Sequence, residues 1–498
     1  MCGARIPRLP AIVLFALPAV GLADNISNPV SAPRDAAAVK ILDVRNVNAG
    51  DTAWMLTSAA LVLMMTGPGL ALFYGGLVRR KNVLATMMHC FFLMGLVTLL
   101  WAIVGYSLAF DAGNSFIGGF RFAFLREVGG APCEYAPTIP HTAWMSYQLM
   151  FAIITPALIC GAYAERIKFS SMVAFSTAWL LLIYCPMAHM VWGKGGLFNA
   201  WMGGKIPAID FAGGTVVHIS SGVSALVCAI VLGRRHGFGS NPMPPHSVVL
   251  SVMGAAMLWV GWFGFNAGSA LSAGPLAANA FAATHFAAAM GAMGWALVEW
   301  IKTGKPTVLG AISGAVAGLV VITPAAGYTT PMWGLVMGFA GGVICFFTAT
   351  SMKHAFGYDD SLDAFGVHGV GGTVGAILTG VFAVAAVNCP PALGTSSLGL
   401  IEGNTTTVMH QLTATVMTWI LAAAGSLIIL LAVKFTIGLR VTEEEEYDGL
   451  DLTQHGESGY ILDEDFGGMG NHGGSVDEAR MAKRPMPAVH GEGQPISR

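Results

Sequence analysis

The chain has 498 residues, of which 55% are hydrophobic and only 10% charged, with a formal net charge of −2. Soluble domains carry about 25% charged residues, so this balance excludes a soluble globular protein and describes an all-α polytopic membrane protein set in a lipid bilayer. The net charge itself says nothing about partners; no nucleic-acid partner is expected, and the useful question is on which side of the bilayer each Lys and Arg falls.

In chain order, Arg5 and Arg8 precede a short apolar run over 11–22 and a small-residue site at Gly21-Leu22-Ala23. This is the pattern of a secretory signal peptide, residues 1–23, removed after Ala23. Residues 24–50 are polar and mixed, and are expected to form a flexible segment outside the membrane. Eleven apolar stretches of spanning length then fill residues 51–435. The first five lie at roughly 53–77, 83–110, 142–164, 171–192 and 212–233. The next five lie at 247–270, 276–301, 307–323, 332–352 and 365–387, and the last at 408–434.

The loops after odd-numbered stretches hold Arg79, Arg80, Lys81, Arg166, Lys168, Arg234, Arg235, Lys302, Lys305 and Lys353; those on the other side hold Arg121, Arg126, Lys194 and Lys205. The positive-inside rule places the first set in the cytoplasm. With an odd number of spans the N-terminus is then outside and the C-terminus cytoplasmic. Five stretches precede the central loop and five follow it, so the two halves enter from opposite sides, the topology of an inverted repeat with an additional eleventh helix.

The fifth stretch of each half carries a histidine. Asp210 opens the first, which contains His218; Asp363 precedes the second, which contains His368. An ionisable group at that depth normally faces a protein interior or a water-filled path, and a pseudo-two-fold would bring these two imidazoles together. His89, His285 and His410 have no such counterpart and are read as packing residues. Gly310, Gly314 and Gly318, and likewise Gly371 and Gly375, recur every four residues, the spacing of close helix contacts.

The eight cysteines form no CxxC pair or Cys/His cluster with metal-ligand spacing, although Cys133 and Cys389 lie in outward loops where a disulfide is chemically possible. No phosphate-binding or dinucleotide motif and no nucleophile–base set is present. The expectation is therefore no catalysis, no cofactor and no metal. A carrier needs an outer collecting site. Phe151 in the outer part of span three, Trp192 at the outer end of span four, and Phe265 and Ser269 near the outer end of span six supply aromatic faces and a hydroxyl, which together suit a small cation.

Seven ordered stretches carry a family resemblance: PGLALFYGGLVRRKNVL (68–84), GAYAERIKFS (161–170), AHMVWGKGG (188–196), DFAGGTVVHIS (210–220), GWFGFNAGSA (261–270), FGVHGVGG (365–372) and GLRVTEEEEYDGLD (438–451). From about residue 51 to 459 the chain resembles the Amt/Rh ammonium transporters, in their bacterial Amt branch. The resemblance implies a homotrimer with one pore per subunit, in a bacterial inner membrane, that takes up ammonium. It implies that Phe151, Trp192 and Ser269 form the recruitment site with Asp210 behind them, that Phe151 and Phe265 form a stacked gate, and that His218 and His368 line the pore. Position 147 is tyrosine where relatives commonly have phenylalanine, and the loop holding Lys194 and Lys205 is longer than expected.

Ammonium has nearly the size and charge of potassium, so a carbonyl or carboxylate filter would pass both. A site that first removes a proton, then passes neutral ammonia through an apolar pore while two imidazoles handle the proton, rejects potassium, which has none to give. Two other functions are compatible with these residues: an ammonium sensor, and an Rh-like channel for ammonia or carbon dioxide. In the tail, residues 436–459 match the family's ordered cytoplasmic segment, where the acidic run at 443–446 can pair with basic inner loops. Residues 460–498 are rich in Gly, Asp, Pro and His and are expected to be disordered. The resemblance also implies a cytoplasmic PII-type signalling partner.

Overall fold

The computed structural model describes residues 46–393 and 397–460. The expected signal peptide, most of segment 24–50 and the tail beyond 460 lie outside these residues. The apolar stretches form helices α1 (Ala49–Leu77), α2 (Arg80–Phe110), α3 (His141–Tyr163), α4 (Phe169–Trp192), α5 (Gly214–Leu232) and α6 (Val248–Ala270). They continue as α7 (Pro275–Thr303), α8 (Val308–Ile322), α9 (Pro331–Phe356), α10 (Phe365–Phe382) and α11 (Thr405–Thr436). Ten of them are long and apolar enough to cross a membrane. The exception, α8, is 15 residues long, about 22 Å at 1.5 Å per residue against a hydrocarbon core of about 30 Å.

Local chemistry sets several of these boundaries. Pro324 has no N–H with which to extend the α8 ladder, and residues 323–329 continue as buried turns. This leaves the Thr323 hydroxyl within the protein interior. α10 stops at Phe382, short of the expected 387, because the Val384 N–H is drawn to the Tyr328 carbonyl at 2.7 Å. In α1, Pro68 lies within a widened π-helical turn over Met65–Leu70, a common accommodation of a missing donor.

Glycine decides how closely the helices cross. Where α5 meets α10, a Cβ on Gly222 would overlap the backbone of Gly369. Only two glycines allow that crossing, and it sets the depth at which the histidines of the two halves meet. The glycines spaced by four act as expected: Gly314 and Gly318 lie against Gly291 and Ala287 of α7, and Gly375 against Val321 of α8.

At the end of the bundle that carries the loops of Arg79, Arg166 and Arg235, buried ion pairs tie four loops together. Glu165, in the α3–α4 loop, accepts from the backbone N–H of Arg79 at 2.6 Å and its Nε at 2.9 Å, and from Arg235 Nη1 at 3.1 Å. Arg235 also forks onto Asp359 at 2.8 and 2.9 Å. Burial works to raise the Asp359 carboxyl, yet the Arg235 hydrogen bonds hold it below the ordinary carboxylate range.

The C-terminal segment docks beneath these loops as α12 (Glu443–Asp448), with a Thr442/Glu445 capping box, and α13 (Leu450–His455). Asp451 accepts the Ala85 N–H at 2.8 Å, and Asn82 accepts the Leu450 N–H at 2.8 Å. The acidic run meets the expected loops in part, with one Glu446 oxygen accepting the His236 N–H at 2.6 Å. The other oxygen of this buried residue takes the segment's own Arg440 at 2.6 Å, while Lys81 of the inner loop bonds the carbonyls of Glu446 and Tyr447. At the opposite end of the bundle, Cys133 closes a two-stranded hairpin, β1 (Pro132–Cys133) with β2 (Ala136–Pro140), and forms no disulfide with Cys389.

Candidate functional site

Three cavities lie in series between the helices. The outer one, about 440 Å³, is lined by Phe151, Trp192, Asp210, Ser269, Trp201 and Glu134 among others. All four residues expected to bind substrate therefore face one space. Trp192 is the last residue of α4, and its indole N–H donates to the Asp210 carbonyl at 3.0 Å, which orients the ring. Its face meets Phe151 edge-on, with centroids 5.8 Å apart and planes at 80°.

Phe151 and Phe265 close the floor of this cavity. Their centroids are 4.3 Å apart at 42°, and both rings are buried. Beneath Phe265 lies His218, nearly parallel at 6.0 Å and 23°, with the Trp262 indole stacked on it at 5.5 Å. His368 follows at 5.3 Å and 17°. The space beside these rings is only about 10 Å³, roughly one water. Apart from the two imidazoles and Trp262, its lining is Met65, Leu70, Phe73, Ile154, Leu158, Val217, Leu258, Phe265 and Val316. Below His368 a third cavity of about 210 Å³ opens toward Tyr74, Ser313, Glu299, Thr350 and Asp363. His89, His285 and His410 line none of the three.

Each pore histidine occupies a one-turn π-helical segment at the start of its helix, Gly214–Ile219 in α5 and Phe365–Val370 in α10. Such wide turns frequently accompany functional sites. The α5 turn is held by Asp210. One carboxylate oxygen accepts the N–H groups of Gly213 and Gly214 at 2.8 and 2.7 Å; the other accepts those of Thr215 at 2.8 Å and Val216 at 3.4 Å, and the Thr215 hydroxyl. Gly213, at φ +114°, makes the tight approach that a side chain would strain.

For two neutral imidazoles, the surrounding hydrogen bonds select which ring nitrogen carries the proton. Thr323 donates its hydroxyl proton to the Leu319 carbonyl at 2.7 Å and accepts the Trp262 indole N–H at 2.9 Å. Its remaining capacity is as an acceptor, so His218 Nε2, at 3.3 Å, is the donor. His218 Nδ1 is then bare and accepts the Nδ1–H of His368, also at 3.3 Å. This leaves the lone pair of His368 on Nε2. Two neutral imidazoles thus form one directed pair.

Sequence reasoning passed over Thr323, although a hydroxyl followed by proline at the end of an apolar stretch was a signal. It also assigned no role to Trp262. Tyr147, whose role was undefined, lies fully buried between α3 and α6, with its hydroxyl 2.9 Å from the Gly264 carbonyl, 2.8 Å from that of Phe265 and 3.2 Å from Ser269 Oγ.

Residues 53–460 match the family model described as "Ammonium Transporter Family". An ammonium transporter of Bacillus subtilis (strain 168) is 50% identical over 82% of this chain and 98% of its own length, and one of Aquifex aeolicus (strain VF5) is 45% identical over 84% and 94%. Among solved structures, the crystal structure of Candida albicans Mep2 superposes with a TM-score of 0.74 at 36% identity, covering 80% of this chain and 88% of that one. A likeness at 25% identity and TM-score 0.73 extends over 84% of this chain and all of a structure titled "Sensor Amt Protein". With its paired histidines set between an outer and an inner cavity, this integral membrane protein belongs to the ammonium transporter family.

Proposed function

We propose that the protein takes up ammonium by capturing NH4+ in the outer cavity, removing a proton there, and conducting ammonia past the phenylalanine gate while the proton moves separately through the histidine pair. The observation that carries this reading is the stack Phe151/Phe265, His218, His368, set in an otherwise apolar constriction between two wider cavities that each carry polar groups. A bare cation gains nothing from that lining. The faces of Trp192 and Phe151 attract a cation through the ring quadrupole, an effect worth roughly 0.5–2 kcal/mol, and Ser269 offers an oxygen to an N–H. Asp210 adds negative charge behind them and holds the first turn of α5.

Neutral ammonia crosses the constriction at far lower cost than the ion. His218 donates to Thr323 and accepts from His368. The free lone pair of this arrangement is on His368 Nε2, so a proton added there sends the His368 Nδ1 proton to His218 Nδ1 and releases the His218 Nε2 proton. Transfer from His218 toward His368 requires the opposite tautomer of both rings. The family membership supports placing the protein in a bacterial inner membrane as a homotrimer, N-terminus outside and C-terminus cytoplasmic, with a PII-type protein as partner of the cytoplasmic face. The basic inner loops around Arg79, Arg166 and Arg235 support the same orientation.

A sensor role is the second reading. It is favoured by the likeness to the "Sensor Amt Protein" chain and by the docked segment at 437–460, which reaches the loops under the pore. The test of the transport reading is current across proteoliposomes on a supported membrane. Ammonium pulses should give a saturable current and potassium pulses none; equal currents for the two ions would remove the deprotonation step.

A further inference from the structure

We propose that Tyr147 is a positioning residue that couples the recruitment site to the gate, its ring backing Phe151 while its hydroxyl clamps the end of α6 that carries Phe265 and Ser269. The proposal rests on the transport reading above and deepens it. Tyr147 precedes Phe151 by one helical turn of α3, so both project from one face, and their rings meet at 5.0 Å and 71°. A phenylalanine would fill the same space. What requires explanation is a phenol hydroxyl with no exposure at all that, unlike the buried Tyr184 hydroxyl, has several hydrogen-bond partners.

Its partners are all at the loose end of one helix. α6 tightens into a 3₁₀ turn at Gly268–Ala270 and is followed by Leu271 in the left-handed region, φ +59°. The carbonyls of Gly264 and Phe265 belong to the closing turn, the first still accepting the Gly268 N–H beside the phenol. Tyr147 donates to them, and Ser269 Oγ donates to the Phe265 carbonyl at 2.9 Å. With its proton spent there, Ser269 keeps its lone pairs for the cavity and is an acceptor for an N–H-bearing cation.

Tyr147 Oη lies 3.2 Å from Ser269 Oγ because both hydroxyls donate to the Phe265 carbonyl, and this shared acceptor ties them to the Phe265 backbone. The space is reserved for the phenol: a Cβ on Gly268 would stand 2.7 Å from its oxygen. The acceptor and the gate ring are thereby held at a set distance from Phe151 on the opposite helix. A ligand that engages Ser269 meets a gate already in register.

The experiment uses the full-length protein, with Tyr147→Phe, Ser269→Ala and the double variant. Two readouts are taken on each: the half-saturation and maximum of ammonium current in proteoliposomes, and methylammonium binding from ligand-dependent thermal stabilisation. Losing one hydrogen bond should raise half-saturation and weaken binding by about two- to tenfold, while the maximum current stays within about twofold. Ser269→Ala should cost less in the Tyr147→Phe background than in the parent, because the two hydroxyls act as a unit. Parental half-saturation in a fully assembled Tyr147→Phe protein, or strictly additive effects, would overturn the proposal. If the parent binds methylammonium but carries no current, the transport reading fails, and the binding arm still decides the role of Tyr147.

Discussion

The first turns of α5 and α10 are built alike and finished differently. Both are single π-helical turns, both present a histidine to the same constriction, and both have a buried aspartate just before them. Asp210 spends both oxygens on four backbone N–H groups and a hydroxyl. Asp360 gives one oxygen to the Phe365 N–H at 2.7 Å, and its other oxygen, though buried, has no hydrogen-bond partner. The histidines repeat the contrast: His218 is tethered by Thr323 and stacked on Trp262, whereas the hydrogen bond placing His368 is the one to His218. A repeat supplies the same backbone twice, and the surroundings then make one turn a fixed anchor and the other a more adjustable one.

The largest effect should come from undoing the anchor. Asp210→Ala leaves buried N–H groups without acceptors, at roughly 1–3 kcal/mol each, and should abolish stable assembly. Asparagine ordinarily caps a helix about as well as aspartate. Here both oxygens are occupied, so Asp210→Asn points an N–H₂ at donors on one side and should also lose several kcal/mol. Size-exclusion yield and thermal melting in detergent decide it. An Asn variant as stable as the parent would contradict the two-oxygen account.

A smaller effect should appear at the partner turn, and it depends on pH. Burial, with Asp363 nearby adding to it, raises the Asp360 carboxyl to about 6. The folded state thus holds this proton more tightly than the unfolded chain, whose ordinary value is about 3.9. The resulting stabilisation is full below about pH 4 and is lost as pH rises through 6, a change of roughly 3 kcal/mol at most. Asp360→Asn should lack this slope. Melting curves of the two proteins between pH 4 and 7 that run parallel would show that Asp360 is ionised throughout.

The smallest effect should follow Thr323→Val, which keeps the shape and removes the tether. His218 then loses its acceptor at Nε2, and the Trp262 N–H loses its own. Maximum ammonium current should fall about two- to tenfold with half-saturation unchanged, since the recruitment site is untouched. A rise in half-saturation alone would move Thr323 from the relay to the capture step.

Hydropathy and loop charge made the helical architecture legible, because each span is a long run of one solvent preference. The meeting of His218 and His368 followed from topology alone, since equal halves of odd span number must invert. The bounds of α8 were legible, since the stretch expected at 307–323 matches Val308–Ile322 to one residue at each end; what the sequence reading did not draw from them is that so short a helix falls below the length that crosses a bilayer. The π-helical turns were hidden, because a register change of one residue leaves composition and periodicity almost untouched. Partners far apart in sequence, such as Tyr147 with the end of α6 or Glu165 with Arg79 and Arg235, exist only once the helices are packed. The acidic run does reach a loop of the basic end, through the His236 N–H, while charge complementarity alone overlooked Arg440, which lies closer in the chain and takes the other Glu446 oxygen.

The most direct test of the histidine relay is the current carried by His218→Leu and His368→Leu proteins under pulses of ammonium and of potassium. If the imidazoles pass the proton while ammonia crosses, each leucine variant should assemble normally and carry no ammonium current, because the apolar constriction then holds no complete pair to move charge. Ammonium-selective currents as large as the parent's in both variants would contradict the account and leave the two histidines as packing residues.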